Sequence, residues 1–165
     1  MILNRQRNIR IPIRELEKFA ERARLSLRLP ANAFSICLVT NSEIARWNRS
    51  YRGKEGPTDV LSFRNEETPQ TPKGAKSRKT KDSRRKKDQG IVGWLGRKED
   101  SYLGDIAIAP AVARRNARQL GRKLEDEMRI LVLHGMLHLM GYDHETDTGQ
   151  MDRRERRLRR ALGLA

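Results

Sequence analysis

The sequence predicts an α/β (α+β) fold in which a mixed central sheet is flanked by helices. Segments with strand and helix periodicity alternate through the first half of the chain, and successive helical segments follow in the C-terminal half. The length of 165 residues is that of one domain with room for a hydrophobic core. We therefore expect residues 1–165 to form a single domain.

The first half contains two predicted helices among three predicted strands. The first helix has apolar residues at helical spacing and a proline at an early position, where the ring is tolerated. Thr40-Asn-Ser-Glu43 predicts a capping box that opens the second helix. The predicted strands are residues 1–8 at a sheet edge, Ala33–Thr40 with both faces apolar, and Val60–Phe63; the helices are Pro12–Leu25 and a short one ending at Trp47.

The chain loses its periodicity from Asn65 to about Gly90. This stretch is rich in charge and poor in apolar residues, a composition typical of disorder, so we predict a basic inserted loop at about 65–90. Beyond it, proline and glycine separate the remaining segments. These are possible strand residues 91–95, the strand Leu103–Ala109, and helices at Pro110–Leu120, Leu124–Leu139 and about Thr148–Leu162.

Positive charge is concentrated in two stretches of this chain, whose formal net charge is +15. Residues 70–90 hold nine Lys or Arg against two Asp, and residues 153–160 hold six Arg against one Glu. Clustered charge of one sign indicates a polyanionic partner, and nucleic acid is the expected one. One cysteine, Cys37, and no apolar run of about 20 residues are typical of a cytoplasmic protein outside the membrane.

All three histidines lie within eleven residues, His134-Gly-Met-Leu-His138-Leu-Met-Gly-Tyr-Asp-His144. Two histidines four apart share one helix face, and Gly141 can end the helix and return His144 toward them. Three neutral nitrogens and one open position describe a catalytic zinc site. The spacing is that of a metzincin-like zinc helix, except that Gly135 replaces the glutamate base of the proteases. We predict one Zn²⁺ per chain on His134, His138 and His144.

The histidine motif also resembles the signature of the YbeY family, bacterial zinc-dependent endoribonucleases that mature ribosomal RNA. Residues 48–63 and Leu103-Gly-Asp-Ile106 are similar to further segments of that family. The resemblance implies an α/β architecture with the zinc site in a cleft between sheet and helices. It also implies single-strand-specific cleavage in 16S 3′ end maturation and ribosome quality control, with ribosomal RNA and the small ribosomal subunit as partners. By the same resemblance, Arg52 belongs to the catalytic site.

Two alternatives to an endoribonuclease remain open at this stage. The histidine spacing also fits a zinc metalloprotease, although Gly135 and the excess of basic charge weigh against it. A non-catalytic ribosome-assembly factor with structural zinc fits the charge equally well. Asp143 and Glu145 flank the third histidine as possible proton acceptors, and Asp105 is a possible acceptor that orients a histidine ligand. The general base is left unassigned.

Overall fold

The computed structural model describes residues 1–65, 102–143 and 147–164, and within these ranges a four-stranded sheet packs with five α-helices. A π-helical turn, Asn48–Arg52, directly continues the second helix. The strands are β1 (Ile2–Asn4), β2 (Phe34–Leu38), β3 (Val60–Arg64) and β4 (Gly104–Ile108). The helices are α1 (Ile13–Ser26), α2 (Asn41–Trp47), α3 (Pro110–Gln119), α4 (Leu124–Leu139) and α5 (Gln150–Leu162).

The sheet has the strand order β1-β2-β4-β3 and mixed direction. β1 and β4 run parallel to β2, whereas β3 pairs antiparallel with β4. In this register Ser62 of β3 lies opposite Ile106 of β4, and Phe63 lies opposite Asp105. Because side chains alternate along a strand, Ser62 and Ile106 face one side of the sheet and Phe63 and Asp105 face the other.

Each face of the sheet is covered by a separate hydrophobic cluster. The larger cluster joins Ile36 and Ile106 of the sheet to α1, α4 and α5. The smaller one joins Cys37, Leu61 and Ala107 to α2 and α3. Since β2 and β4 contribute to both clusters, their near-continuous apolar sequences are explained by burial on two faces.

The structure confirms the mixed sheet flanked by helices, with element ends displaced by no more than four residues. The capping box is present: Thr40 Oγ1 accepts from the Glu43 N–H, and the Glu43 carboxylate accepts from the Thr40 N–H. The sequence also predicts a glycine-rich basic loop from Tyr51 to Pro57, and this was wrong at its start, because Tyr51 and Arg52 end the π-helical turn. The predicted insertion beyond Asn65 and the possible strand at 91–95 lie outside the described residues. No helix in the described ranges is long and apolar enough to cross a bilayer.

Candidate metal centre

The C-terminal part of helix α4 is buried on nearly all sides, and the two histidines are its accessible residues. From Ile130 to Leu139 every residue is buried except His134 and His138, which are half-buried. Both imidazoles lie on one side of the helix because their spacing is close to one turn. The predicted helical face for His134 and His138 is therefore also the accessible face of α4.

The two imidazoles are held close enough to share one ion. His134 Nε2 and His138 Nε2 are 3.0 Å apart, and the ring planes are inclined by 75°. Two nitrogens bound to one tetrahedral zinc at about 2.0–2.1 Å lie about 3.3 Å apart, so the pair needs to open by only about 0.3 Å. The donor type and the geometry of these two residues fit zinc.

The turn after α4 has the conformation that the sequence predicts at Gly141. Gly141 has φ 97°, its N–H donates to His138 O, and the Tyr142 N–H donates to Leu137 O. These two bonds make the Schellman motif that ends a helix and reverses the chain. The predicted third ligand, His144, lies outside the described residues, as does Glu145. Among the described residues, no group of three or more His, Cys, Asp or Glu side chains is arranged to hold a metal.

A buried carboxylate on α5 supports the first histidine, and the sequence analysis missed it. Glu155 is 7% exposed, and its Oε2 lies 2.9 Å from His134 Nδ1. A carboxylate in this position fixes the tautomer in which Nδ1 carries the proton and Nε2 presents its lone pair to a metal. The only sequence signal is that Glu155 is the one acid in an arginine-rich segment and lies in register with the inward-facing Met151 and Leu158.

Glu155 stays charged despite its burial. Burial alone would raise the pKa of its carboxyl group, but the hydrogen bond with His134 and the charge of Arg159 help to outweigh burial and lower that pKa. Arg159, one turn further along α5, donates from its guanidinium to Glu155 Oε1. The carboxylate is thereby shared between a histidine on α4 and an arginine on its own helix.

Asp105 does not orient His134 or His138, the two histidines that the structure describes, so the expectation was wrong for this pair. Ile106 packs on α4 from one face of the sheet, and the Asp105 side chain lies on the other face. The Tyr102 hydroxyl donates to Asp105 Oδ1 at 2.5 Å and lies 2.9 Å from the Ser35 hydroxyl. Burial raises the pKa of Asp105, although the Tyr102 hydrogen bond opposes that shift. Because side chains alternate between the two faces along β4, Asp105 points away from α4, and Glu155 of α5 is the carboxylate that meets His134.

Gly135 is a contact point between α4 and the sheet. A Cβ at this position would lie 2.7 Å from Ile106 Cγ2, a distance that real Cβ atoms essentially never show. The Ser62 hydroxyl of β3 donates to the Gly135 carbonyl at 3.3 Å. The position that holds the glutamate base in zinc proteases is thus directed into the sheet here and has no room for a side chain.

Arg52 ends the π-helical turn on a different element from the histidines. Its side chain is exposed and, among the described residues, makes no hydrogen bond or ion pair with another side chain. Arg49 of the same turn makes two hydrogen bonds with Glu55, of 2.8 and 2.6 Å, between exposed side chains, and Gly53 ends the turn in the left-handed conformation. The structure brings His134 and His138 together but records no contact that joins Arg52 to them.

A second exposed arginine stands at the end of β3 on the side of α4. Arg64 shares a sheet face with Ser62, and its register partner Gly104 packs against Leu139, next to His138. Within the described residues Arg64 has no ion pair. The sequence analysis missed Arg64, because only the strand register shows which face it occupies.

The exposed faces of α3 and α5 are rich in arginine. On α5 the exposed arginines lie on the side away from the buried Met151 and Leu158. On α3 they point away from the two clusters that bury Val112 and Ala113. The exposed residues are Arg114, Arg115 and Arg118 on α3, and Arg153, Arg156, Arg157 and Arg160 on α5.

The fold and this site define an α/β protein with a paired-histidine centre on a buried helix and a basic surface. The family model described as Endoribonuclease YbeY matches residues 1–163. The chain belongs to the YbeY endoribonuclease family, which makes it a nuclease of the hydrolase class.

Individual relatives agree with this membership. The chain is 34% identical to "Endoribonuclease YbeY" of Sulfurovum sp. (strain NBC37-1), an alignment that spans 98% of this chain and 90% of that protein. It is 36% identical to the protein of the same description from Solibacter usitatus, over 90% of this chain and 78% of the relative. The solution structure of TM1509 from Thermotoga maritima has the same fold, with a TM-score of 0.56, 23% identity and coverage of 98% and 89% of the two chains.

Proposed function

We propose that this chain is a zinc-dependent, single-strand-specific endoribonuclease that processes ribosomal RNA, including the 3′ end of 16S rRNA, and takes part in ribosome quality control. The observation that carries the proposal is the histidine pair, with its Nε2 atoms 3.0 Å apart at the accessible face of α4, in a YbeY family member. The partners are ribosomal RNA and the small ribosomal subunit, which places the protein in the cytoplasm.

One zinc ion per chain would be held by His134, His138 and His144. When bound, zinc supplies a Lewis acid and lowers the pKa of a coordinated water to about 7. The role of Glu155 is to hold the proton on His134 Nδ1 and so keep Nε2 available, which supports the assignment of His134 as a ligand.

The RNA would be attracted by the basic surface of α5 and by Arg64. Helix α5 carries Glu155 toward the histidines on its buried side and arginines on its exposed side, so the positive surface is built on the same helix that supports the centre. Arg64 lies at the end of β3 beside the last turn of α4. Guanidinium groups bind phosphate oxygens through two parallel hydrogen bonds, and their charge makes the affinity depend on salt.

Arg52 is proposed to stabilise negative charge on the phosphate in the transition state. Arg52→Ala should then keep zinc, fold and most RNA affinity while the cleavage rate falls by about 100-fold or more. Arg52→Lys should recover part of the rate, because an ammonium group keeps the charge but not the planar fork. Single-turnover cleavage of a single-stranded RNA at saturating enzyme measures this step without a contribution from binding.

A matched control for Arg52 lies three residues earlier in the same turn. Arg49 is paired with Glu55, and both side chains are more than two-thirds exposed, so Arg49→Ala should leave the cleavage rate unchanged. A wild-type rate in Arg52→Ala would assign no catalytic role to Arg52. An equal loss in both variants would show that the effect comes from disturbing the turn.

Cleavage assays separate the proposal from the two alternatives. A metalloprotease would digest casein, but the closed position at Gly135 leaves no space for the glutamate that such enzymes use as base. An assembly factor with structural zinc would bind RNA and cleave nothing, before or after mutation of the histidines. We expect zinc-dependent cleavage of single-stranded RNA, no digestion of casein, and loss of RNA cleavage in His134→Ala. Casein digestion, or RNA cleavage that is unaffected by His134→Ala, would contradict the proposal.

A further inference from the structure

Tyr51 is an exposed aromatic residue in a protein with few aromatic residues. Only 5% of the residues are Phe, Trp or Tyr. Among the described residues, Tyr51 is the one aromatic residue that is largely exposed, at 51%. Its hydroxyl makes no hydrogen bond to any described residue. About half of the side chain is therefore available for contact with a ligand, and exposed tyrosine rings are enriched at binding surfaces.

The ring is held from behind by a row of aromatic contacts. Buried Trp47 meets Phe63 with ring centroids 6.2 Å apart and planes at 86°, and Phe63 meets Tyr51 at 5.0 Å and 72°. These edge-to-face contacts run from the smaller hydrophobic cluster to the surface. Tyr51 is therefore fixed in orientation before any ligand arrives, which lowers the entropy lost on binding.

The backbone under Tyr51 is equally well braced. The buried Asn48 side chain donates to Gly56 O at 2.9 Å and ties the start of the π-helical turn to the loop that follows it. The Gly53 N–H donates to Arg49 O at 3.1 Å and closes the turn. Both the ring and its support are thus set in place, as in a preformed binding surface.

The next residue in the chain, Arg52, is an exposed cation. An exposed aromatic ring and an exposed guanidinium group carried by one turn match the two chemical parts of a nucleotide, a flat base and an anionic phosphate. A stretch of single-stranded nucleic acid presents both parts, whereas the bases of a duplex are already stacked inside it. We propose that Tyr51 stacks on one base of single-stranded RNA while Arg52 contacts the adjoining phosphate, and this inference rests on the proposed function. The pair then selects single strands without reading sequence.

Binding to two RNAs tests the stacking role separately from charge. Fluorescence anisotropy would measure the affinity for a short single-stranded RNA and for an abasic strand of equal length, which keeps the phosphates but lacks the bases. Tyr51→Ala should weaken binding to the intact RNA about 5- to 150-fold and should not change binding to the abasic strand. The slope of affinity against salt should stay at its wild-type value in Tyr51→Ala and decrease by about one in Arg52→Ala.

Three further variants make the result decisive. Tyr51→Phe keeps the ring and should bind intact RNA as the wild type does. Tyr51→Leu keeps apolar contact with Phe63 and the melting temperature but should lose binding as Tyr51→Ala does. Leu25→Ala removes another exposed apolar side chain, 60% exposed on α1, and should have no effect. Wild-type affinity in Tyr51→Leu, a loss of affinity in Tyr51→Phe, or an equal loss on the abasic strand would overturn the stacking role.

Failure of this inference is distinguishable from failure of the proposed function. Wild-type protein that neither binds nor cleaves single-stranded RNA would refute both the endoribonuclease proposal and the stacking role. Wild-type protein that cleaves RNA while Tyr51→Ala and Tyr51→Leu bind RNA normally would refute the stacking role alone. In single-turnover cleavage, stacking predicts that Tyr51→Ala raises the half-saturating enzyme concentration and leaves the maximal rate unchanged, and a reduced maximal rate at unchanged half-saturation would contradict it.

Discussion

Replacing Glu155 by glutamine removes the negative charge behind His134 and leaves a side chain of nearly the same size. The amide oxygen can still accept from His134 Nδ1, so the ring orientation survives, but the donor strength of Nε2 falls. Loss of such a supporting carboxylate weakens metal binding by about 10- to 100-fold, which corresponds to about 1.4–2.7 kcal/mol. Arg159 also loses the charge of its partner, and we expect the free energy of unfolding of the metal-free protein to fall by about 1–3 kcal/mol.

Zinc affinity can be measured by competition with a chromophoric chelator, at a temperature where circular dichroism shows the variant folded. Asp152→Asn is the matched control, because Asp152 lies on the same helix and pairs with Arg156 at 2.6 Å while both side chains are 64% exposed. An exposed pair contributes little, so this control should bind zinc within about twofold of the wild type. If Glu155→Gln binds zinc as tightly as Asp152→Asn does, Glu155 does not support a metal ligand.

Other expected outcomes concern packing, pH and RNA affinity. Gly135→Ala should lower the melting temperature, because overpacking against Ile106 costs up to about 3 kcal/mol and alanine recovers only about 1 kcal/mol of helix propensity; a raised temperature, the result of helix propensity alone, would contradict the close contact. Hydrogen bonds from the backbone N–H groups at the start of α5 lower the pKa of Asp147 in the folded protein. The contribution of Asp147 to the free energy of unfolding is therefore present above the ordinary aspartate pKa of about 3.9 and is lost as the pH falls through the pKa of the folded state. Thermal unfolding in acid should therefore depend less on pH in Asp147→Asn, and identical curves would refute this. Arg64→Ala should weaken RNA binding and reduce its salt slope by about one, whereas an unchanged slope would exclude a phosphate contact. Replacing residues 68–88 with a short Gly/Ser linker should weaken RNA binding and flatten its salt dependence with little change in melting temperature; a large loss of stability would show that the segment belongs to the core.

Local sequence rules accounted for the parts of the fold that depend on neighbouring residues. The capping box from Thr40 to Glu43 and the left-handed Gly141 after α4 were both predicted, because each is a contact between residues a few positions apart. The approach of His134 to His138 follows from helix geometry alone. The exposed orientation of the α5 arginines follows in the same way from helical periodicity.

Contacts between distant segments were not accessible to these rules. Glu155 is 21 residues from His134 and meets it only because α5 packs against α4. The partner of Asp105 depends on which sheet face it occupies, and that face is set by packing of Ile106 on α4. The π-helical turn that carries Tyr51 has no local sequence signature. The sequence could therefore identify the candidate ligands but not the residues that position them.

The central claim, a zinc centre on the α4 histidines that cleaves RNA, is tested most directly by measuring zinc content and RNA cleavage together. Both should be determined on the same preparations of wild type and His138→Ala, with elemental analysis for zinc and a single-stranded RNA for cleavage. We expect about one zinc per wild-type chain, since a catalytic site holds one ion with three protein ligands. His138→Ala should lose zinc and cleavage together while it still binds RNA. Full zinc occupancy in His138→Ala, or cleavage at the wild-type rate without zinc, would contradict the claim.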